Sequence, residues 1–255
     1  IAENGNVVLL GGSTILGGVI GNTGGTGNIL SGTTGPAVTL DSVVHTGSLT
    51  TIQQGGIFSI TGSGLINEGV IQANPIGSSI DSVLSFEQSG ALAGSGEFRL
   101  RSGFSNSQLN TAPGQTITHV ATHTIRGVGD VNAAISNAGT ISADVSVSVS
   151  GNALELQTED MINNADMVAA SSSTLLVQGI TLDQSAGGML LADGGTVELN
   201  GSATTLGGSL GSVNGGVWDT GTGGFTVDGT LLAGDGVINA GHSLTVLGGT
   251  LLNDA

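Results

Sequence analysis

Met167-Val168-Ala169-Ala170-Ser171-Ser172-Ser173-Thr174-Leu175-Leu176-Val177 is followed, one repeat later, by Met189-Leu190-Leu191-Ala192-Asp193-Gly194-Gly195-Thr196-Val197-Glu198-Leu199. Each copy holds a short apolar run, a turn of small residues and a second run with alternating character. Alternation over four or five residues marks a half-buried strand, and the small residues between mark a turn. Neither run is long enough to close on itself. A strand–turn–strand unit that recurs at about 20–25 residues buries its apolar face only by stacking on its neighbours.

The unit recurs outward from this stretch. Apolar residues seven apart are found at Ala91/Phe98, Val168/Leu175, Leu190/Val197, Trp218/Phe225 and Val237/Leu244. Ile71/Leu84 and Ile141/Leu154 are the same pair with six extra residues between. From Leu154 on, the second members lie 21, 22, 28 and 19 residues apart. This predicts an all-β chain, a β-solenoid of parallel strands with about 11 coils and essentially no α-helix. At one strand spacing per coil the rod is on the order of 50 Å long. One solenoid spans 1–255, less regular over 1–133 and most regular over 134–255. Leu84 to Phe98 is too short for a full coil. Residues 102–134 fit the repeat poorly, although Thr116-Ile117-Thr118 and Thr124-Ile125-Arg126 read as strands.

Composition agrees. Of 255 residues, 47 are Gly and only 9% are charged, against about a quarter in an ordinary globular domain. Glycine supplies corners that need positive φ, and a narrow core explains why aromatics are only 2%. Net charge is −16, and all three basic residues are arginines, Arg99, Arg101 and Arg126. Nucleic acid is therefore not an expected partner, since phosphate binding needs clustered Lys and Arg. No apolar run approaches the length of a membrane-spanning helix, so no membrane insertion is expected. The start has no basic segment followed by an apolar one, as expected of a mature or excised segment or of a chain that never carried a signal. There is no cysteine and hence no disulfide.

Asparagine is a second marker. It stands four residues before the first anchor at Asn67, Asn137 and Asn164. Asparagine tolerates a left-handed backbone and suits tight turns. In neighbouring coils, Asn137 and Asn164 would stack as an amide ladder; the alternative is three independent turn residues.

Ala134-Ile135-Ser136-Asn137-Ala138-Gly139-Thr140-Ile141-Ser142-Ala143-Asp144 resembles the N-x-G-x-I-x-A element of large bacterial surface proteins. Leu65-Ile66-Asn67-Glu68-Gly69-Val70-Ile71-Gln72-Ala73 is the same element, as is Asn164-Ala165-Asp166-Met167-Val168-Ala169 with Asp for Gly. Gly207-Gly208-Ser209-Leu210 and Gly248-Gly249-Thr250-Leu251 are similar to the GG-T/S-L elements of those proteins. The chain resembles filamentous-haemagglutinin-like adhesins and autotransporter passenger domains over roughly residues 48–255. The resemblance implies a right-handed parallel β-helix, an extracellular address on the bacterial cell surface, and a structural or adhesive role. It brings no catalytic residue with it.

Candidate chemistry is sparse. His119 and His123 would share a face on a helix, as in metal sites, but the segment reads as strand. Both are expected at the surface or in turns, as are His45 and His242. Gly207-Gly208-Ser209-Leu210-Gly211 matches a nucleophile elbow without the helix that motif needs. Glu159-Asp160 and the trio Asp219, Asp228 and Asp235 are the densest carboxylates. Gly24-Gly25-Thr26-Gly27-Asn28 lacks the Asp of a calcium β-roll. No cofactor is expected beyond calcium held loosely by the acidic surface. Arg99 and Arg101 face one side and are expected in a surface salt-bridge cluster with Glu97 or Glu87. Trp218 could stack on a sugar, but its anchor position places it in the core. Thr116, Thr122 and Thr124 do not form the outward column an ice-binding face would need.

The expected function is a non-enzymatic structural solenoid, stacking head-to-tail on itself into an extracellular filament or forming a segment of a longer stalk. An adhesin that binds glycans or neighbouring cells through its side wall is the alternative, and a polysaccharide-active enzyme the third reading. Read tail to head, the two ends rebuild a motif found whole at Met161–Val168. Ile1 and Val8 are seven apart, and Asn253 falls at the ladder position. Ile1, Ala2, Val7 and Val8 of one copy are therefore expected to meet Leu251, Leu252, Asn253, Asp254 and Ala255 of another.

Overall fold

The computed structural model describes residues 6–21, 28–33, 35–47, 49–73, 80–101, 107–147 and 153–251. They form a parallel β-solenoid with three strands to a coil, so its cross-section has three walls. The first wall begins at Val7–Leu9, continues through Ile29–Ser31, Thr50–Ile52 and Val70–Ala73, and ends at Gly249–Leu251. Eleven parallel steps join its twelve strands. The second wall runs from Thr14–Leu16 to Gly236–Val237 and the third from Val19–Gly21 to Leu244–Val246. Ten steps join the strands of each. The described residues thus make ten or eleven turns, according to the wall followed. Among the described residues the only helix is a single 3₁₀ turn, Val145–Val147.

Coil length varies while the walls stay aligned. One step of the first wall runs only from Thr124 to Thr140, whereas the step before it runs from Glu97 all the way to Thr124. The difference is taken up at corners, where backbone can loop outward without disturbing the ladder. Some corners are turned within one strand. Thr124–Asn132 leaves the first wall and enters the second. Gly127 and Gly129 at its bend have φ of 125° and 151°, and a Cβ on Gly127 would run into the Leu100 carbonyl.

Side chains alternate in and out along every wall, as pleating requires. On the first wall Ile71, Phe98, Ile125, Ile141, Met167, Leu190, Leu210 and Leu232 succeed one another and are all buried. Leu154, Leu175, Val197 and Trp218 do so on the second. Trp218 packs edge-on against Phe225 of the third wall, with ring centres 6.4 Å apart, and donates to the Ala233 carbonyl at 3.3 Å. It is a core residue, as its anchor position predicts.

The three walls correct the two-run repeat. Ala91/Phe98 and Trp218/Phe225 join residues of different walls, so a seven-residue spacing does not mark equivalent positions. Ala91 also points outward, and the inward residue of its strand is Leu92. Val237, an anchor by its spacing, is exposed. Leu84 and Phe98 lie on the second and first walls, which removes the problem of a coil too short. The segment that fitted poorly supplies regular rungs at Ile117–His119 and Thr124–Asn132.

The copies Met167–Val177 and Met189–Leu199 are not related by one constant offset. Thr174 pairs with Thr196, but Asp166 pairs with Met189, so the offset between these two coils is one residue larger on the first wall than on the second. The inward anchor is therefore Met167, not Val168. A one-residue slip sends a side chain to the opposite face. Met167 is fully buried, and Val168 is half-buried on the outside. Met167→Ala is expected to cost about 2–5 kcal/mol, whereas Val168→Ala stays within about 1 kcal/mol. Urea unfolding of the two variants checks this register.

Candidate functional site

Where the third wall turns into the first, the core is polar. Asn67, Asn137 and Asn163 occupy this corner, each four residues before an inward anchor, Ile71, Ile141 and Met167 respectively. Each Oδ1 accepts from the backbone N–H two residues on, that of Gly69, Gly139 or Ala165, at 3.2, 3.2 and 3.3 Å. This Asx turn lets one residue both shape the corner and bond to the next coil. Asn137 Nδ2 donates to Asn163 Oδ1 at 2.8 Å, and Asn163 Nδ2 to Gln184 Oε1 at 3.1 Å.

The ladder exists, but its member in that coil is Asn163 and not Asn164. Asn137 pairs with Asn163 in register, and Asn164 is exposed. The Asn163-Asn164 doublet and the Met167-Val168 doublet hid the same one-residue slip.

The histidines complete it, contrary to the expectation of surface or turn positions. His45 is 1% exposed and His119 and His123 are 0% exposed. His45 Nδ1 lies 2.6 Å from Asn67 Oδ1, and its Nε2 lies 2.8 Å from Thr50 Oγ1. Asn67 Nδ2 donates to the Glu97 carbonyl at 3.0 Å and also lies 3.0 Å from His123 Nε2. His123 Nδ1 is 3.1 Å from His119 Nε2, and His119 Nδ1 is 2.6 Å from Asn137 Oδ1. An unbroken run of side-chain hydrogen bonds thus links Thr50, His45, Asn67, His123, His119, Asn137, Asn163 and Gln184.

The histidine pair fills a gap. The coil after Asn67 carries Gly94-Ser95-Gly96 at the corner, with no side chain that reaches inward. His123 crosses it from two coils away. Gly94, with φ of 100°, lies so close to the Asn67 backbone that a Cβ would collide with it; at Gly139 a Cβ would collide with the His119 ring. Burial lowers the pKa of His45 and His119. Burial, together with repulsion from His119, brings His123 down to about 3. All three are neutral at physiological pH. His242 is half-buried elsewhere, near the Thr220 carbonyl at 3.2 Å.

The remaining candidates lie on the outer walls. Glu97 pairs with Arg99 on its own strand and with Arg126 at 2.7 Å, and Arg126 also reaches Asp144 at 3.2 Å. This is the expected cluster, without Arg101 or Glu87. Arg101 instead donates to the Val147 carbonyl, and Glu87 accepts from Ser85. Asp160 accepts from the Thr181 N–H at 2.6 Å. Ser209 starts a strand rather than a helix, so the elbow motif is without its geometry. Among the described residues no group of three or more His, Cys, Asp or Glu is placed to hold a metal ion. Gly24–Gly27 lie outside the described residues, as do Ile1, Ala2, Leu252, Asn253, Asp254 and Ala255 of the expected assembly surface. Of that surface, Val7 and Val8 are exposed in the first strand, and Leu251 ends the last.

Sequence reasoning missed Thr50, Asn163 and Gln184. The recurring Asn–anchor spacing could have found Asn163, but nothing local marks Thr50 or Gln184. In comparisons with protein-family models, curated proteins and solved structures, nothing matches this chain.

Asn137→Ala leaves the His119 Nδ1–H and the Gly139 N–H without their partner inside the core and takes from Asn163 Oδ1 the shorter of its two hydrogen bonds. The expected loss is about 3–5 kcal/mol by denaturant unfolding, against under about 0.5 kcal/mol for Asn132→Ala on the outer surface. Glu198 behaves oppositely to the histidines. Burial, then the neighbouring Asp219 and Glu155, raise its pKa. The folded chain therefore holds this proton more tightly than the unfolded chain, and stability falls as pH rises through the folded pKa. Glu198→Gln is expected to raise the melting temperature at pH 7, with the gain vanishing below about pH 4.

Proposed function

We propose that this chain is a non-enzymatic structural solenoid of the bacterial cell surface, whose coils continue head-to-tail from one copy to the next in an extracellular filament or stalk. The observation that carries this reading is the state of the first and last described rungs. Val7–Leu9 pairs with Ile29–Ser31, and Gly249–Leu251 pairs with Thr230–Leu232. Among the described residues, no strand covers the other edge of either. Unpaired edges of parallel strands are templates for further strands.

The same rungs are apolar. Val7, Val8, Leu10, Leu16 and Val19 are exposed at one end, and Val237, Ile238, Val246 and Leu247 at the other. A hollow of ≈ 190 Å³ lined by Leu9, Ile15, Ile20 and Ile29 opens at the first end, where the stacked core meets solvent. A further coil laid on either end would gain both backbone pairing and apolar burial. The side walls offer no backbone pairing, because their backbone bonds are already used between coils.

The reading is tested by negative-stain microscopy and sedimentation across a concentration series. Linear assemblies of uniform width are expected, lengthening with concentration. Val19→Asp and Leu247→Asp, at opposite ends, should each shorten them while leaving the far-ultraviolet spectrum of the coils intact. Monomers at every concentration would overturn the filament, and a glycan array positive for one sugar would favour the adhesin instead.

A further inference from the structure

The corner ladder runs in one direction, and this fixes the protonation of its rings. The amides are oriented by backbone: Asn67, Asn137 and Asn163 each accept a main-chain N–H at Oδ1, and Asn67 and Asn163 donate through Nδ2 to the carbonyls of Glu97 and Met189. His119 Nδ1 faces the Asn137 oxygen, so it must carry hydrogen. His119 is neutral, so its Nε2 is an acceptor, and His123 must donate to it from Nδ1. His123 Nε2 is then an acceptor for Asn67 Nδ2. Every link is satisfied with both rings neutral and protonated only on Nδ1.

A second proton fits at neither ring. On His119 it would point at the His123 Nδ1–H; on His123 it would point at the Asn67 amide hydrogens. His45 differs, since its Nε2 faces the Thr50 hydroxyl, which rotates to accept. We propose that the His119–His123 pair is an acid-sensitive latch at mid-solenoid: protonating either ring sets two donors face to face, cuts the ladder between Asn67 and Asn137, and releases the coils it joins.

Among the described residues, no charged group is placed to rescue the protonated pair. Of the ionisable side chains on the strands packed around it, Glu97, Arg99 and Arg126 are tied together on the outer surface. Arg101 turns to the Val147 carbonyl and Glu68 to Ser95. Asp130 is buried, but on the second wall, level with Gln108 and Glu155, and not at this corner. His45 lies beyond Asn67. The sign follows from the unfavoured second proton. An opened coil takes up protons below about pH 6.5 while the closed coil refuses them, so opening becomes easier as pH falls below that value.

Amide hydrogen exchange on the intact chain at pH 7.0 and 4.5, corrected for the intrinsic pH dependence, reads the release directly. At pH 4.5 a single locked ring raises the population of the open form roughly a hundredfold. Protection at residues 65–67, 117–119 and 135–137 is expected to fall at least about tenfold, while Thr196–Asn200 changes by less than about threefold. The double variant H119N/H123Q reproduces each donor and acceptor with amides that do not titrate, and should keep its protection at pH 4.5. If that variant fails to fold, imidazole ¹⁵N shifts of the wild-type chain decide the matter. Both rings should remain neutral with hydrogen on Nδ1 at pH 5.5, where an ordinary histidine is mostly protonated. A protonated ring at pH 5.5 with exchange protection intact, a ring with hydrogen on Nε2, or an acid loss unchanged in the double variant would each overturn the latch. The readout lies within one chain and is the same whether or not copies stack.

Discussion

Parallel pairing between coils is the constraint from which the rest of this structure follows. A strand in a coil finds no backbone partner within its own turn; its N–H and C=O groups bond to the turn before and the turn after. A single coil has almost no ordered state, and stability grows with each added neighbour. The same condition forces every coil to place its three strands at the same height and angle. Length variation is therefore exported to corners, which is why long and short coils stack on one wall.

Pairing alone does not fix the register. Backbone bonds in a parallel ladder form equally well after a slip of two residues, and the apolar faces of these walls, rich in Val, Ile and Leu, would tolerate such a slip. The buried corner does not. A displaced asparagine or histidine there leaves donors and acceptors unmatched, at about 1–3 kcal/mol each. From His45 to Gln184 the polar column thus specifies which residue of one coil sits over which of the next, in a core whose apolar contacts are nearly interchangeable. It is made of groups that must stay neutral, which links the most specific part of the packing to pH.

The ends and the middle carry different properties. The middle coils are closed on both edges and hold the polar column inside. The outermost described coils keep one free edge and an apolar section. Glu198 and Asp219, in adjacent coils of the second wall, each have a raised pKa for which burial is the first cause, and the charge of Asp219 adds to the shift at Glu198. Acid relieves this strain in the later coils while it loads the histidine corner near the centre. One solenoid therefore responds to pH with opposite signs along its length.

The fold class was legible because short alternating runs, glycine-rich turns and a recurring strand–turn–strand unit leave few alternatives to a β-solenoid. Trp218 as a core residue and the Glu97–Arg99 cluster were legible for the same reason: strand periodicity fixes which side chains share a face. The number of walls was not legible, because inward residues of all three look alike in a linear pattern. The Asn163-Asn164 and Met167-Val168 doublets offered two registers one residue apart, and only pairing with Asn137 and Ile141 chose between them. The burial of His45, His119 and His123 was not legible. As isolated polar residues in a strand-like segment they read as exposed; their burial depends on a glycine coil that leaves a gap and on amides 18 and 56 residues away. Local periodicity and composition are enough to make the chain coil. Which coil faces which is set by contacts across the core, because a hydrogen-bond ladder there is defined by neighbours distant in the chain.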